Sequence, residues 1–290
     1  MDSQRHTDFF GGLNGSDQKQ ILSEQLQGAS GFLEAAPSKE LGLAWDPLEF
    51  TTEIKIRLLA DIIPEDSWCP ACDGVLDKKG RHAATCPSWG DRTRRHHAAR
   101  NRCGIFATSA RLHPVLEKPG LLQSCPDQPN ASQRRPADVY LPSWNGTPAA
   151  LDFAITSPHR LDAPAEALSI PGAAATAYEA HKRFYKNTAS DCEAQGMAFL
   201  PMVGEPTGGW GTSAACTFKA FAKAQAAGTD MMAGTILATE LQHLCTALRR
   251  ANARAVLCRS CDPCSMANPT FTDAASVLAA QEAGAAADSA

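Results

Sequence analysis

Apolar positions recur along this chain with two spacings, and the switch between them marks out its elements. Ile54, Leu58 and Ile62 repeat at helical spacing, Thr51 is placed to cap the segment, and Pro64 closes it. A second helix is predicted from Asp91 to about Leu116, with Ala98, Ile105, Phe106, Ala110 and Leu112 on its buried side; Glu117-Lys118-Pro119-Gly120 ends it. The spacing then drops to two. Val139 and Leu141 share one face of a strand, and Leu151, Phe153 and Ile155 share one face of the next. Asn145-Gly146 stands between them, so the stretch reads as a β-hairpin. Residues 197–203 make a further short apolar strand, and the glycine-rich loop 204–211 lacks the Gly-Lys-Ser/Thr of a Walker phosphate loop. Residues 173–196, 214–226 and 231–253 read as helices, the last with Ile236, Leu237, Leu241, Leu244 and Leu248 in a packing stripe. Residues 1–27 are expected to be a flexible lead-in, 121–133 a loop, and the alanine-rich end of 257–290 disordered.

The hairpin carries one aspartate on each strand, Asp138 and Asp152, and the turn decides whether they meet. A two-residue Asn145-Gly146 loop pairs Asp138 with Phe153 and leaves the carboxylates on opposite faces. A three-residue loop, Trp144-Asn145-Gly146, with a left-handed glycine bulge, pairs Ser143 with Thr147 and sets Asp138 against Asp152. Opposed like charges destabilise a sheet, so a facing pair points to a bound cation; otherwise the hairpin simply has a solvated face.

Composition sets the background for this chemistry. Net charge of −4 gives no global sign of a polyanionic partner, so any nucleic-acid surface has to be a local patch. The first residues lack the apolar core of a signal peptide, and no apolar run is long enough to span a bilayer. Eleven cysteines, an odd number without an export signal, argue for thiols in a reducing nuclear or cytoplasmic compartment rather than a secreted disulfide framework. Four potential ligands cluster as Cys69-x2-Cys72-x9-His82-x3-Cys86, a spacing that suits tetrahedral Zn²⁺ in a closed, structural site. Immediately downstream, five arginines and two histidines crowd residues 91–102, against the helix macrodipole; Arg92, Arg94, Arg95, His96 and Arg100 are the candidates for phosphate contact. A later group, Cys258, Cys261 and Cys264, with His243 or Cys245 as conceivable partners, lacks a well-placed fourth ligand.

In order along the chain stand the Cys69, Cys72, His82, Cys86 cluster with GDRTRRHH, then LEKPGLL, RRPADVYLPSW, ALDFAITSP, YEAHKRFYK and FLPMVGEPTGGWG. Together they resemble the C-terminal part of non-LTR retrotransposon reverse transcriptases that carry a restriction-like endonuclease, over about residues 28–226. The resemblance implies an α/β fold, with a mixed β-sheet flanked by helices in a PD-(D/E)XK core and a small N-terminal zinc module. It divides the chain into a helical and zinc segment at 28–90, a nuclease core at 91–228 and a C-terminal helix at 229–256. It also implies a site of Glu117 on a helix, Asp138, Asp152 and Lys182, with Lys186 as rival for the lysine, Mg²⁺ held by Glu117, Asp138 and Asp152, and Glu205 as an outer carboxylate. Two departures stand out. Ala137 separates Pro136 from Asp138, and Ala154 stands where the motif has its lysine. No Asp-Asp dipeptide of a polymerase palm occurs. The expectation is therefore a Mg²⁺-dependent DNA-nicking endonuclease. A silent module that binds DNA or RNA, or a zinc-stabilised protein interaction domain, is the alternative.

Overall fold

The computed structural model describes residues 2–122 and 136–260. The predicted loop from residue 123 onward, Cys261, Cys264 and the alanine-rich tail lie outside the described residues. Far from a loose lead-in, the chain opens with α1 (Asp2–Gly11) and α2 (Gly15–Glu24). Asn14 caps α2 by accepting from the Asp17 amide, and Asp17 in turn pairs with Lys79 and Arg81. Polar anchors fix this segment, which is why its apolar pattern gave no sign of it.

After the short α3 (Gly31–Glu34), α4 (Pro47–Arg57) begins earlier than Thr51. Asp46 accepts from the Leu48 and Glu49 amides, and Pro47 fills the first position, where no amide is needed. Its buried side chains are Glu49, Thr52 and Glu53, whereas Leu58 is 71% exposed. The inward face is polar because arginines stand opposite it, as described below.

A two-stranded hairpin follows, β1 (Ser67–Trp68) and β2 (Val75–Leu76), then α5 (Arg81–Thr85) and α6 (Asp91–Ser109). Helix α6 stops at Ser109 instead of reaching Leu116. Left-handed backbone at Arg111 and His113 reverses the chain, and Val115–Leu116 becomes the edge strand β3.

The main sheet has the order β3-β4-β5-β6, with β4 (Val139–Trp144), β5 (Thr147–Ile155) and β6 (Ala198–Gly204). The first two pairings are antiparallel, and β5 with β6 is parallel. Between β5 and β6 run α7 (Ala173–Phe184) and α8 (Thr188–Ala194), which supply the crossover that a parallel pair requires. Two further helices, α9 (Thr212–Ala226) and α10 (Ala233–Ser260), follow among the described residues. On one face of the sheet Val139, Leu141, Leu151, Phe153 and Met202 pack against Phe106, Phe218, Phe221, Leu244 and Leu248 of α6, α9 and α10. On the other, Ala150 and Phe199 pack with Cys192 and Met197. The expected α/β class, with helices flanking a mixed sheet and a Cys/His cluster ahead of it, is what the structure contains.

The hairpin turn takes its length from one predicted form and its register from the other. Asn145 and Gly146 both have positive φ, and Trp144 pairs with Thr147, so the loop has two residues. Yet Leu141 pairs with Ala149 and Val139 with Leu151. Pro142 and Ser143 therefore stand opposite Pro148 alone, in a bulge inside the strands. Neither proline has an amide to give to a ladder, which makes this the least costly place for the extra residue.

Helix α10 joins the sheet to the N-terminal helices through buried charge. The Arg249 guanidinium reaches Glu53 at 3.2 Å, Glu24, and the Ala29 carbonyl at 2.9 Å, and lies 4.6 Å from the Phe32 ring centroid. Arg250 and Arg254, half-buried, bind Glu49. Burial pushes the Glu53 carboxyl up to about 7 in spite of Arg249. The folded chain thus holds this proton more tightly than the unfolded one. The group's contribution to stability is complete below pH 4.5 and is lost as the pH rises through about 7. The Glu53→Gln variant cannot ionise. Its melting temperature relative to wild type is expected to rise steadily from about pH 5 to about pH 8, and a difference that stays flat with pH would contradict this account.

Candidate functional site

The shifted register makes Asp138 and Asp152 neighbours. The Asp138 amide donates to the Leu151 carbonyl at 2.9 Å, and its Oδ2 accepts from the Phe153 amide at 2.6 Å. His96 Nε2 lies 3.0 Å from the same Oδ2. From α7, the Lys182 ammonium reaches Asp152 Oδ2 at 2.7 Å. Burial raises the Asp138 carboxyl, but hydrogen bonding from His96 and from the Phe153 amide, with Lys182 nearby, holds it below its usual value. Asp152 goes the other way. Burial, opposed by Lys182 and aided by the Asp138 charge and hydrogen bond, pushes it up to about 6. Two neighbouring carboxyls with opposite shifts behave as one site that shares charge poorly, so added positive charge stabilises it.

Glu117 reaches this region by backbone more than by side chain. It follows β3 rather than sitting on a helix, with a left-handed φ of 51°, and its amide donates to the Asp138 carbonyl at 3.0 Å. Its carboxylate forms an ion pair with Arg100. Among the described residues, Glu117, Asp138 and Asp152 do not form a cluster with three oxygens close enough to share one ion. Lys186, the rival lysine, stands over the Tyr185 ring at 5.3 Å, while Lys182 is the one on Asp152. Glu205 is buried in a hydrogen bond with Ser23, fastening α2 to the end of β6 instead of serving the aspartates.

Part of the basic start of α6 is engaged within the protein. Arg95, 1% exposed, donates to the carbonyls of Ala84 at 2.9 Å and Ala83 at 3.5 Å, tying α6 to α5. Arg100 holds Glu117, His96 holds Asp138, and Arg102 grips Glu240 of α10 with contacts of 2.7 and 2.6 Å. Arg92 and Arg94 remain exposed, the latter 3.0 Å from Asp91. His96 was legible only as a basic residue. The four-residue step from His96 to Arg100 was the available signal, since it sets both on one helix face toward Asp138 and Glu117.

Beside this core, Cys69, Cys72, His82 and Cys86 place their ligand atoms within 4.8 Å of one another. Cys72 Sγ lies 3.3 Å from His82 Nε2 and 3.7 Å from Cys86 Sγ. The β1–β2 turn holds the first pair, through Cys69 N–H to the Gly74 carbonyl and Gly74 N–H to Cys72 Sγ; Asp77 accepts from the His82 amide at 2.7 Å. The group could hold a metal ion, and three thiols with one imidazole are a donor set that matches zinc. Ala255 and Val256 of α10 cover it. Of the other cysteines weighed as ligands, Cys245 is buried against the carbonyls of Ala29 and Thr207, and Cys258 is exposed.

A Cβ at Gly74 would stand 2.5 Å from His82 Cε1, so the turn admits no larger residue. Gly74→Ala is expected to weaken zinc retention by about 10–100-fold, the usual cost of disturbing groups around a metal's ligands. Competition with a chromophoric chelator measures this, and an unchanged affinity would contradict it. With this geometry in place, the chain matches no family model, no curated protein and no solved structure.

Proposed function

We propose that this chain is a metal-dependent phosphodiester hydrolase that nicks DNA, with a restriction-endonuclease-like core of the non-LTR retrotransposon type and a structural zinc module. The observation that carries the reading is the Asp138–Asp152 pair on adjacent strands with Lys182 on Asp152. The donor set fits a hard divalent cation such as Mg²⁺: two carboxyls in contact, one of them held ionised and the other disfavoured as an anion by burial and, less strongly, by its neighbour. Asp138 and Asp152 would hold the ion, which would neutralise the scissile phosphate and acidify a water. Glu117, assigned a share by the resemblance, stays with Arg100 in this arrangement and has an indirect part, bracing the Asp138 backbone.

The chain's own groups then divide the work. The Phe153 amide and His96 fix Asp138 Oδ2 in one orientation. Lys182 balances the charge on Asp152 and is placed to stabilise negative charge that develops on a phosphate brought to the pair. A second reading, a catalytically silent nucleic-acid-binding module, is favoured by one observation, the engagement of Glu117 with Arg100. In either case the partner is a nucleic acid, reached in the nucleus or cytoplasm.

Supercoiled plasmid incubated with the full chain and Mg²⁺ is expected to be nicked. Nicking should disappear in the Asp138→Asn, Asp152→Asn double variant and fall by about 10²-fold in Lys182→Ala. Agarose electrophoresis of the relaxed form reads both. Equal nicking by wild type and double variant would remove the hydrolytic proposal.

A further inference from the structure

Helix α7 and the residue after it carry a row of three rings beside Lys182, with a cation at each end. Tyr178 and His181 have ring centroids 5.5 Å apart, and His181 and Tyr185 are again 5.5 Å apart. The row is closed at one end by the Arg160 guanidinium, 5.1 Å from the Tyr178 centroid, and at the other by the Lys186 ammonium, 5.3 Å from that of Tyr185. Steps of three and four residues set these rings on one face, and Lys182, four residues after Tyr178, shares it. This is not a core face. Tyr185 is 54% exposed, Phe184 beside it 80%, and His181 is exposed as well.

The charge around the row has one sign for most of its length. His181, Lys182, Arg183 and Lys186 follow one another with no acid from residue 181 to 190. Glu179, the one acid of α7, is buried and accepts from the Ser213 amide. At the far end of the row Asp162 pairs with Arg160. The chain also bends sharply here. Lys186 and Asn187 take successive left-handed conformations, φ 51° and 55°, which a lysine adopts at a cost in stability and a glycine would not.

We infer that this row binds an unpaired stretch of polynucleotide. Bases stack on Tyr178, His181 and Tyr185, and phosphates lie against Lys186, so that the strand is led past Lys182 toward the aspartates. Aromatic faces flanked by cations suit single strands, because only unstacked bases offer their faces; a duplex offers edges and phosphates. The last part of the inference, delivery of the strand to the aspartates, rests on the phosphodiesterase reading above.

The test uses the full chain without magnesium, so that binding is read apart from cleavage. Fluorescence anisotropy is measured with a labelled single strand of about 16 nucleotides and with the duplex of the same sequence. The His181→Ala, Tyr185→Ala double variant is expected to lose about 10–100-fold in single-strand affinity, with duplex affinity unchanged. Tyr185→Phe with His181→Tyr, which keeps both rings, should bind the single strand about as well as wild type. Circular dichroism checks that each variant is folded. Wild-type affinity in the folded alanine variant, or no single-strand binding by the wild type, would overturn the inference. Cleavage is scored separately. A chain that never nicks but loses single-strand affinity in the alanine variant keeps the stacking row and refutes the nuclease. A chain that nicks, with alanine-variant affinity intact, does the reverse.

Discussion

Two carboxyls on neighbouring strands repel, and the protein's central region is arranged around containing that repulsion. The bulge at Pro142-Ser143 against Pro148 sets the register that brings Asp138 and Asp152 together. One-residue slippage would send the partners to opposite faces. Having made the pair, the fold surrounds it with donors: the Phe153 amide and His96 on one carboxyl, Lys182 on the other. These come from the sheet itself, from α6 and from α7. The elements that build the core are thereby the ones that define the site.

A second set of charges holds the periphery. Arg249, Arg250 and Arg254 of α10 face Glu24, Glu53 and Glu49, and Arg95 and Arg102 of α6 reach carbonyls of α5 and the carboxylate of Glu240. Replacing either partner of such a buried pair leaves the other uncompensated, and that costs more than the intact pair contributes. The pattern gives orientation rather than simple cohesion: helices that meet through a few fixed ion pairs can dock in few ways.

This explains what the sequence disclosed and what it concealed. The strands 139–141 and 151–155, the helix at 214–226 and the Cys69–Cys86 cluster were legible, because apolar alternation and ligand spacing are local signals. Helix α2 was not, since its inward face is polar and Asp17 finds Lys79 and Arg81 more than sixty residues away; the start of α4 does carry a local signal, Asp46 ahead of Pro47, with Thr51 a competing cap within the same pattern. The meeting of Asp138 and Asp152 was one of two outcomes left open by the turn, and a mid-strand bulge decided it. Local charge alone did not separate the arginines of α6 that have partners within the fold, Arg95 and Arg100, from Arg92 and Arg94, which stay exposed.

At the far end of α10, Arg259 donates to Asp91, 2.7 Å away, and to the Cys86 sulfur, and lies over the Trp89 ring at 5.2 Å. Three thiolates and an imidazole around a divalent zinc carry one surplus negative charge. Arg259 would bring positive charge to that cluster, shared with the carboxylate of Asp91. Cys86 and Arg259 lie far apart in the chain, so a cluster whose ligands are local in sequence depends for its balance of charge on a contact that only the folded chain provides.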